Sequence, residues 1–282
     1  MRTLGYRGAG DGMVHLRDAR WAWLGLRRRQ WVELEDLSWW PTAWRDAGTG
    51  FLAVALESTG HATLVANRIQ AMLEKTGQTT TIDMGSGGGG PMATVAAALS
   101  APYTIHLTDL HPNLPALALV SERSNGRVTF SSEPVDATGV TPELRGLRTM
   151  VNAFHHLPPD AARAVLQSAV DGGQPITVIE VISREPLQLL GLLFSPLTFA
   201  VLFPWVRPFR PLNLLFTYLI PVLPAFVLWD GVVSWLRIYD PEELAALVSS
   251  LRGADGWTWE IGSFRLGATP AWGVFLEGLP PR

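Results

Sequence analysis

The spacing of the hydrophobic positions changes near residue 79, and this change predicts two kinds of structure. Before it, residues 42–58 and 61–75 carry apolar side chains at helical spacing, which predicts two helices, each followed by a glycine. After it, short β-branched runs alternate with helical patterns. The predicted strands are residues 79–83, 103–109, 127–131, 147–152 and 175–182. Strands that alternate with helices indicate βαβ units, so we expect an α/β fold with a doubly wound, mostly parallel sheet.

The C-terminal part of the chain is expected to complete this sheet. A helix is predicted over residues 240–251, because Asp240 can cap its first turn and Pro241 suits the first helical position. Two runs, residues 257–265 and 271–276, predict an antiparallel pair at the sheet edge and bring the sheet to seven strands. The expected regions are an N-terminal helical cap (1–77), a core (78–185), an apolar insertion (186–230) and the C-terminal part of the core sheet (231–282).

The insertion is defined by its lack of charge. No charged residue occurs from Pro186 to Val206 or from Pro211 to Trp229, and two arginines separate these stretches. Each stretch approaches the ~20 residues that cross a bilayer, but internal prolines would kink both helices, so shallow membrane contact is expected over 186–229. The alternative use of this surface is a lid or a homodimer interface over an apolar pocket. Either use predicts a hydrophobic small molecule or a lipid as the substrate.

Composition and charge exclude several classes of protein. Of the 282 residues 48% are hydrophobic and 17% are charged, and the formal net charge is -3, so no basic surface for nucleic acid is expected. The chain contains no cysteine, which excludes disulfides and thiolate metal ligands. Residues 1–20 lack the apolar core of a secretory signal, so we expect a cytoplasmic protein that associates with membranes through the insertion.

The most informative local pattern is a glycine turn after the first strand of the predicted core. The strand ends on Asp83, five glycines follow within residues 85–90, and an alanine-rich helical stretch comes next. A strand, a Gly-rich turn and a helix allow backbone N–H groups to approach a nucleotide-like ligand closely. A carboxylate just before this turn repels a pyrophosphate and favours a cationic ligand group.

This pattern resembles motif I of the class I S-adenosylmethionine-dependent methyltransferases, Asp/Glu-x-Gly-x-Gly-x-Gly, over residues 83–89. Later positions extend the resemblance at the spacing of successive strand–helix units. The resemblance implies a Rossmann-like methyltransferase with S-adenosyl-L-methionine as cofactor, in which Asp109 binds the ribose and Asp136 binds the adenine. The cofactor site that it implies comprises Asp83, Gly85, Ser86, Gly87, Gly89, Asp109, Leu110, Asp136, Ala137 and Asn152.

Two adjacent histidines after the fourth core strand are the candidate catalytic groups. His155 and His156 follow Asn152 at the strand tip, where the resemblance places the transferred methyl group. Imidazole titrates near neutral pH, as a general base requires. Glu180 and Asp230, which bracket the insertion, are alternative bases. The histidines have no further ligand at a metal-binding spacing, so no metal site is predicted.

Two other functions compete with methyl transfer to a hydrophobic small molecule or lipid. Gly85, Gly87 and Gly90 also fit the G-x-G-x-x-G pattern of a nicotinamide-dependent oxidoreductase, although Asp83 and Asp136 favour S-adenosylmethionine. The other alternative is a membrane-attached binding or scaffold protein that keeps the fold without turnover, since no residue is a clear catalytic base.

Overall fold

A nine-stranded sheet forms the centre of the protein, whose computed structural model describes residues 3–7, 13–17, 27–267 and 271–281. Its strands are β1 (Thr3–Arg7), β2 (Met13–Arg17), β3 (Thr80–Met84), β4 (Thr104–Thr108), β5 (Val128–Phe130), β6 (Leu147–Val151), β7 (Ile176–Glu180), β8 (Thr258–Arg265) and β9 (Trp272–Leu279). They follow the order β1-β2-β8-β9-β7-β6-β3-β4-β5. Strands β3 to β7 run parallel, and β9 is antiparallel to β7 and β8. The predicted doubly wound, mostly parallel α/β sheet is therefore confirmed, with its seven predicted strands as β3 to β9.

Two strands more than predicted belong to the sheet. β1 and β2 pair antiparallel, and β2 extends the sheet by pairing in parallel with β8. They fall within the span that the sequence predicts as a helical cap. Their partner strand lies near the other end of the chain, so tertiary context and not local pattern makes these residues extended.

Helices cover both faces of the sheet. They are α1 (Thr42–Ser58), α2 (His61–Thr76), α3 (Met92–Ala98), α4 (Leu114–Arg123), α5 (Pro159–Asp171), α6 (Pro186–Leu193), α7 (Ser195–Leu202), α8 (Leu212–Leu214), α9 (Val222–Arg237) and α10 (Pro241–Ser249). α5 and α10 contribute to one hydrophobic cluster, and α2, α3 and α4 contribute to another. Val178 and Ile179 of β7 belong to different clusters, because neighbours on a strand point to opposite faces.

The insertion packs on the N-terminal helices and forms a third cluster with them. The buried members of this cluster are Trp40, Ala47, Phe51, Phe199, Phe203, Val206, Leu223, Phe226 and Val227. The helices of the insertion bend by 50° after α6 and by 74° before α9, where a π-helical turn, Leu215–Leu219, follows α8. Among the described residues, no single helix meets the length and hydropathy needed to cross a membrane, whereas the two bent pairs meet it when each is taken together.

One edge of the sheet carries the predicted site. The carboxyl ends of β3, β4, β5 and β6 meet there, since these strands are parallel neighbours. The loops that follow them contain every predicted site residue except Asp83, which lies within β3. Ligands of doubly wound sheets bind in the crevice outside these strand ends.

Candidate functional site

The glycine turn after β3 has a backbone conformation that glycine adopts most easily. Gly85, Gly87 and Gly89 have φ angles of 69°, 54° and 84°. A Cβ on Gly89 would lie 2.9 Å from Cγ2 of Val120 in α4, whereas a Cβ on Gly87 would meet no atom within 4 Å. The turn is therefore packed against α4 at Gly89 and open at Gly87, where a ligand can reach the backbone.

Asp109 lies directly after β4 and is hydrogen-bonded to the glycine turn. The backbone N of Gly87 donates to its Oδ2 at 2.7 Å, and the backbone N of His111 donates to its Oδ1 at 2.7 Å. Each oxygen of an ionised carboxylate can accept a second hydrogen bond. The half-buried Asp109 is thus fixed in place and still has acceptor capacity on both oxygens.

Asp83 lies beneath the turn and is buried. Its Oδ1 accepts a hydrogen bond from the hydroxyl of Thr149 at 2.7 Å, and its Oδ2 accepts one from the hydroxyl of Ser86 at 2.7 Å. Burial raises the pKa of Asp83 to about 7; the two hydroxyl groups lower this pKa, and the charge of Asp109 raises it. Ser86, another predicted cofactor residue, therefore ties the turn to the acid below it.

The loop after β5 contacts Asp109 through its backbone. The N–H of Val135 donates to the carbonyl oxygen of Asp109 at 2.8 Å. Asp136 is exposed and caps a short 3-10 helix that begins at Ala137, because its Oδ1 accepts from the backbone N and the hydroxyl of Thr138. Leu110, which follows Asp109 in the chain, is 50% exposed. The predicted adenine-side residues and Asp109 are therefore neighbours at one edge of the sheet.

Asn152 lies at the tip of β6 in a left-handed conformation, with a φ of 52°. Its side-chain oxygen accepts a hydrogen bond from the N–H of Val181 at 2.8 Å, which ties the ends of β6 and β7 together. A Cβ on Gly85 would lie 3.4 Å from Cβ of Ala153. The loop after β6 therefore contacts the glycine turn, as the predicted site requires.

The two histidines lie in a cluster of carboxylates. His155 is buried, and its Nδ1 lies 2.9 Å from Oε2 of Glu180. Nδ1 of His156 lies 3.0 Å from Oδ1 of Asp36 and 3.3 Å from Oε2 of the buried Glu33. Asp230, the other predicted alternative base, accepts hydrogen bonds from two backbone N–H groups of residues 34 and 35.

These carboxylates control the charge of His156. Burial alone would lower the pKa of this imidazole, but Glu33, Asp36 and Glu35 outweigh that effect and raise the pKa to about 9. Burial opposes the ionisation of Asp36, yet His156 and Arg237 lower the pKa of Asp36 to about 2. At neutral pH, His156 and Asp36 therefore form a charged pair.

Sequence reasoning missed the residues that surround the histidines. Glu33, Glu35 and Asp36 belong to a short acidic segment before α1, and Arg237 ends α9. The only local signal was three acids within four residues, in a stretch without clear periodicity. Their partners are far away in sequence, so local pattern could not connect them.

The comparison with known proteins gives solved structures as its matches. No protein-family model matches the chain, and no curated protein matches it. Mitomycin 7-O-methyltransferase is 21% identical with a TM-score of 0.46, and the match covers 78% of this chain and 53% of that one. This chain therefore spans about half the length of that protein.

Two further structures cover more of their own length. A plantazolicin methyltransferase, solved with a triazolic desmethylPZN analog and SAH, is 10% identical with a TM-score of 0.49, covering 84% of this chain and 98% of that one. An O-methyltransferase family 2 protein from Planctomyces limnophilus, solved with apigenin, is 16% identical with a TM-score of 0.47, covering 84% and 62%.

At these identities and TM-scores the comparison assigns no activity to this chain. The strand order, the antiparallel β9 and the glycine turn between β3 and α3 agree with the fold that the motif resemblance implied. Asp83 within β3 and Asp109 after β4 are both hydrogen-bonded to residues of the glycine turn. The fold of the chain is therefore a doubly wound, Rossmann-like α/β fold.

Proposed function

We propose that the protein binds S-adenosyl-L-methionine at the carboxyl ends of β3 and β4 and transfers its methyl group to a hydrophobic small molecule or lipid. The observation that carries this proposal is the 2.7 Å hydrogen bond from Gly87 to Asp109. It joins the open part of the glycine turn and the acid after the next strand into one unit. The free acceptor capacity of Asp109 suits the two hydroxyl groups of a ribose.

The charge of the site supports this cofactor over a nicotinamide dinucleotide. Asp83 lies under the glycine turn and Asp109 lies beside it, both within one hydrogen bond of turn residues. Two carboxyl groups at this point oppose a pyrophosphate and attract a cation. S-adenosylmethionine carries positive charge on its sulfonium and on its amino group, so the acids favour it.

The chemistry divides between the cofactor and the chain. The bound cofactor supplies an electrophilic methyl group on a sulfonium. The residues at the sheet edge have to orient the acceptor, exclude water and receive a proton where the acceptor loses one. A catalytic role of His155 and His156 stays a prediction, and both rings are directed at carboxylates.

The position of the insertion supports an apolar methyl acceptor. The insertion follows β7 at the edge of the sheet that carries the glycine turn. Asp46 of α1 connects it to this edge: its Oδ2 accepts from Arg210 at 2.9 Å, and its Oδ1 accepts from Asn113, in the loop after β4, at 3.0 Å. An insertion whose helices are almost entirely apolar, beside these loops, favours a hydrophobic substrate over a polar one.

The outer surface of the insertion supports membrane contact. Leu190, Phe194, Leu197 and Val201 follow one another at spacings of three and four residues, and all are more than half exposed. The other exposed apolar residues of the insertion are Leu187, Leu193, Trp205, Phe209, Leu212, Leu214, Tyr218, Leu219, Ile220 and Trp229. Such a density of exposed large apolar side chains is typical of a surface that is covered in use. A lipid surface is the occupant that we propose, because it would also deliver an apolar acceptor.

Calorimetric titration with S-adenosylhomocysteine tests the cofactor assignment, and NADH serves as the competing ligand. We expect binding of the homocysteine product and none of NADH. Transfer of a labelled methyl group from S-adenosylmethionine into solvent-extractable lipids and quinones then tests the activity. Binding without transfer to any acceptor would favour the scaffold alternative, and binding of NADH alone would favour the oxidoreductase.

The raised pKa of Asp83 predicts a pH dependence of cofactor affinity. This pKa is about 7, so the carboxyl is partly protonated at neutral pH and loses its proton as the pH rises. A cationic ligand binds the ionised form better, so affinity for S-adenosylmethionine should rise several-fold between about pH 6 and about pH 8. Titration of the wild type and of Asp83→Asn at both pH values measures this. The variant should show no such rise, and an equal rise in both proteins would contradict the role of Asp83.

The same shift has an opposite effect on stability. The pKa of Asp83 is higher in the folded protein than the ordinary value of 3.8 for an aspartic acid. Folding is therefore favoured by protonation, and the free energy of unfolding should fall as the pH rises toward the folded pKa. In Asp83→Asn this decrease should be smaller, because the amide keeps hydrogen bonds to Ser86 and Thr149 without a buried charge.

A further inference from the structure

Two histidines and one glutamate lie together between the segment before α1 and the loop after β6. One donor atom from each of Glu33, His155 and His156 lies within 4.8 Å of the other two. Two imidazole nitrogens and one carboxylate oxygen form a donor set typical of Zn²⁺ and related divalent transition metals. The sequence predicted no metal site, because the third donor is far from the histidines along the chain.

Glu33 separates this cluster from an ordinary network of ion pairs. Its side chain is 0% exposed, and its Oε2 accepts no hydrogen bond within the described ranges, although Nδ1 of His156 lies 3.3 Å from it. Its Oε1 is occupied, since it accepts from the hydroxyl of Ser234 at 3.0 Å and lies 3.1 Å from Nη1 of Arg237. Leaving a buried carboxylate oxygen without a donor is unfavourable, and a cation bound on the Oε2 side would remove this cost.

The ring of His155 is held as metal ligands usually are. Its Nδ1 lies 2.9 Å from Glu180, while its Nε2 lies 3.9 Å from Oε1 of Glu33, beyond hydrogen-bond distance. A carboxylate that accepts the N–H of one ring nitrogen leaves the lone pair on the other nitrogen, as in most metal-bound histidines. The ring of His156 faces Glu33 through Nδ1, at 3.3 Å from Oε2, and a metal ion on this nitrogen would replace its contact with Asp36 at 3.0 Å.

The charge around the rings favours a cation. The carboxylates of Glu33, Glu35, Asp36 and Glu180 lie within 4 Å of the two imidazoles. Arg237 contacts two of them. The carboxyl groups outnumber the one guanidinium, and a divalent ion that replaces the proton of His156 would add positive charge to this acidic cluster.

We propose that Glu33, His155 and His156 bind one divalent transition-metal ion, with Zn²⁺ as the first candidate, and that Glu180 orients the ring of His155. Donor atoms around a tetrahedral zinc ion lie about 3.4 Å apart, so side-chain shifts of about 1 Å would complete the site. The ion joins the N-terminal segment to the loop after β6. This metal site would give both histidines a role other than that of a general base. The proposal does not depend on the proposed cofactor.

Metal titration of the full chain tests this site. The protein, freed of any histidine tag and treated with a chelator, is titrated with Co²⁺, whose visible absorption reports its coordination, and with Zn²⁺ in competition with a chromogenic chelator. We expect the wild type to bind one ion per chain. The variants His156→Gln and Glu33→Gln should bind it at least about 100-fold more weakly, and Glu180→Gln about 10- to 100-fold more weakly. His106→Gln, outside the cluster, should bind like the wild type.

Thermal unfolding provides a second readout. Zn²⁺ should raise the Tm of the wild type and of His106→Gln, and it should leave the Tm of His156→Gln unchanged. The ring of His156 is partly exposed, so this variant is expected to fold even if Glu33→Gln does not. If the folded wild type bound no stoichiometric ion, or if His156→Gln bound the ion as tightly as the wild type, the proposal would be overturned. Arg237 and bound protons would then balance the carboxylates of the cluster.

Discussion

Asp109→Ala should lower the affinity for S-adenosylhomocysteine by at least about 100-fold, because each hydrogen bond to an ionised group contributes about 1.5–3 kcal/mol and two ribose hydroxyls would lose their acceptor. The backbone N–H of Gly87 would also lose its partner at 2.7 Å. That loss loosens the glycine turn, so both the ribose side and the methionine side of the ligand are affected. Isothermal titration at constant pH and salt measures the change.

Two variants make this result specific. Asp109→Asn keeps an acceptor oxygen and should show an intermediate affinity. Asp171→Ala removes an exposed acid at the end of α5, which is the end that precedes β7, and should bind like the wild type. Wild-type affinity in Asp109→Ala would show that the ligand does not use this carboxylate, and the cofactor assignment would then fail together with the site.

The core of this site was predictable from the sequence for a geometric reason. Parallel strands place their carboxyl ends along one edge, so residues that follow β3, β4, β5 and β6 must become neighbours once the strands are recognised. The order of the motifs therefore predicted the approach of the glycine turn to Asp109. It could not predict that Asp83 is buried under the turn, because that depends on hydroxyl groups of Ser86 and Thr149.

The N-terminal segment shows the limit of local pattern. β2 is a strand because β8 offers a free edge, and Glu33 is buried because α9 and the loop after β6 close over it. Both contacts join residues that are distant in the sequence, and neither leaves a periodic signal. The charged cluster around His155 and His156 was therefore outside the reach of motif and spacing.

Replacing the exposed apolar residues Phe194 and Leu197 with serine should weaken binding to phosphatidylcholine vesicles by about 30-fold, since inserting two large side chains that are about half exposed contributes about 2 kcal/mol. These side chains are 59% and 65% exposed in the folded protein. They lie where the insertion bends by 50°, so they can enter the interface without a spanning helix. Vesicle co-sedimentation of the full chain measures the partition coefficient.

The matched control is the double variant Leu114→Ser and Leu119→Ser on α4, whose side chains are 41% and 40% exposed outside the insertion. It should bind vesicles like the wild type. Because apolar insertion drives the contact, added salt should change binding little, whereas attraction to anionic lipid would weaken with salt. The wild type could instead fail to bind vesicles and form a dimer, while the double variant Phe194→Ser and Leu197→Ser stays monomeric. That result would make the insertion an interface between two copies of the chain. In that case the acceptor has to reach the proposed cofactor site from solution, and hydrophobic small molecules should be tested before lipids.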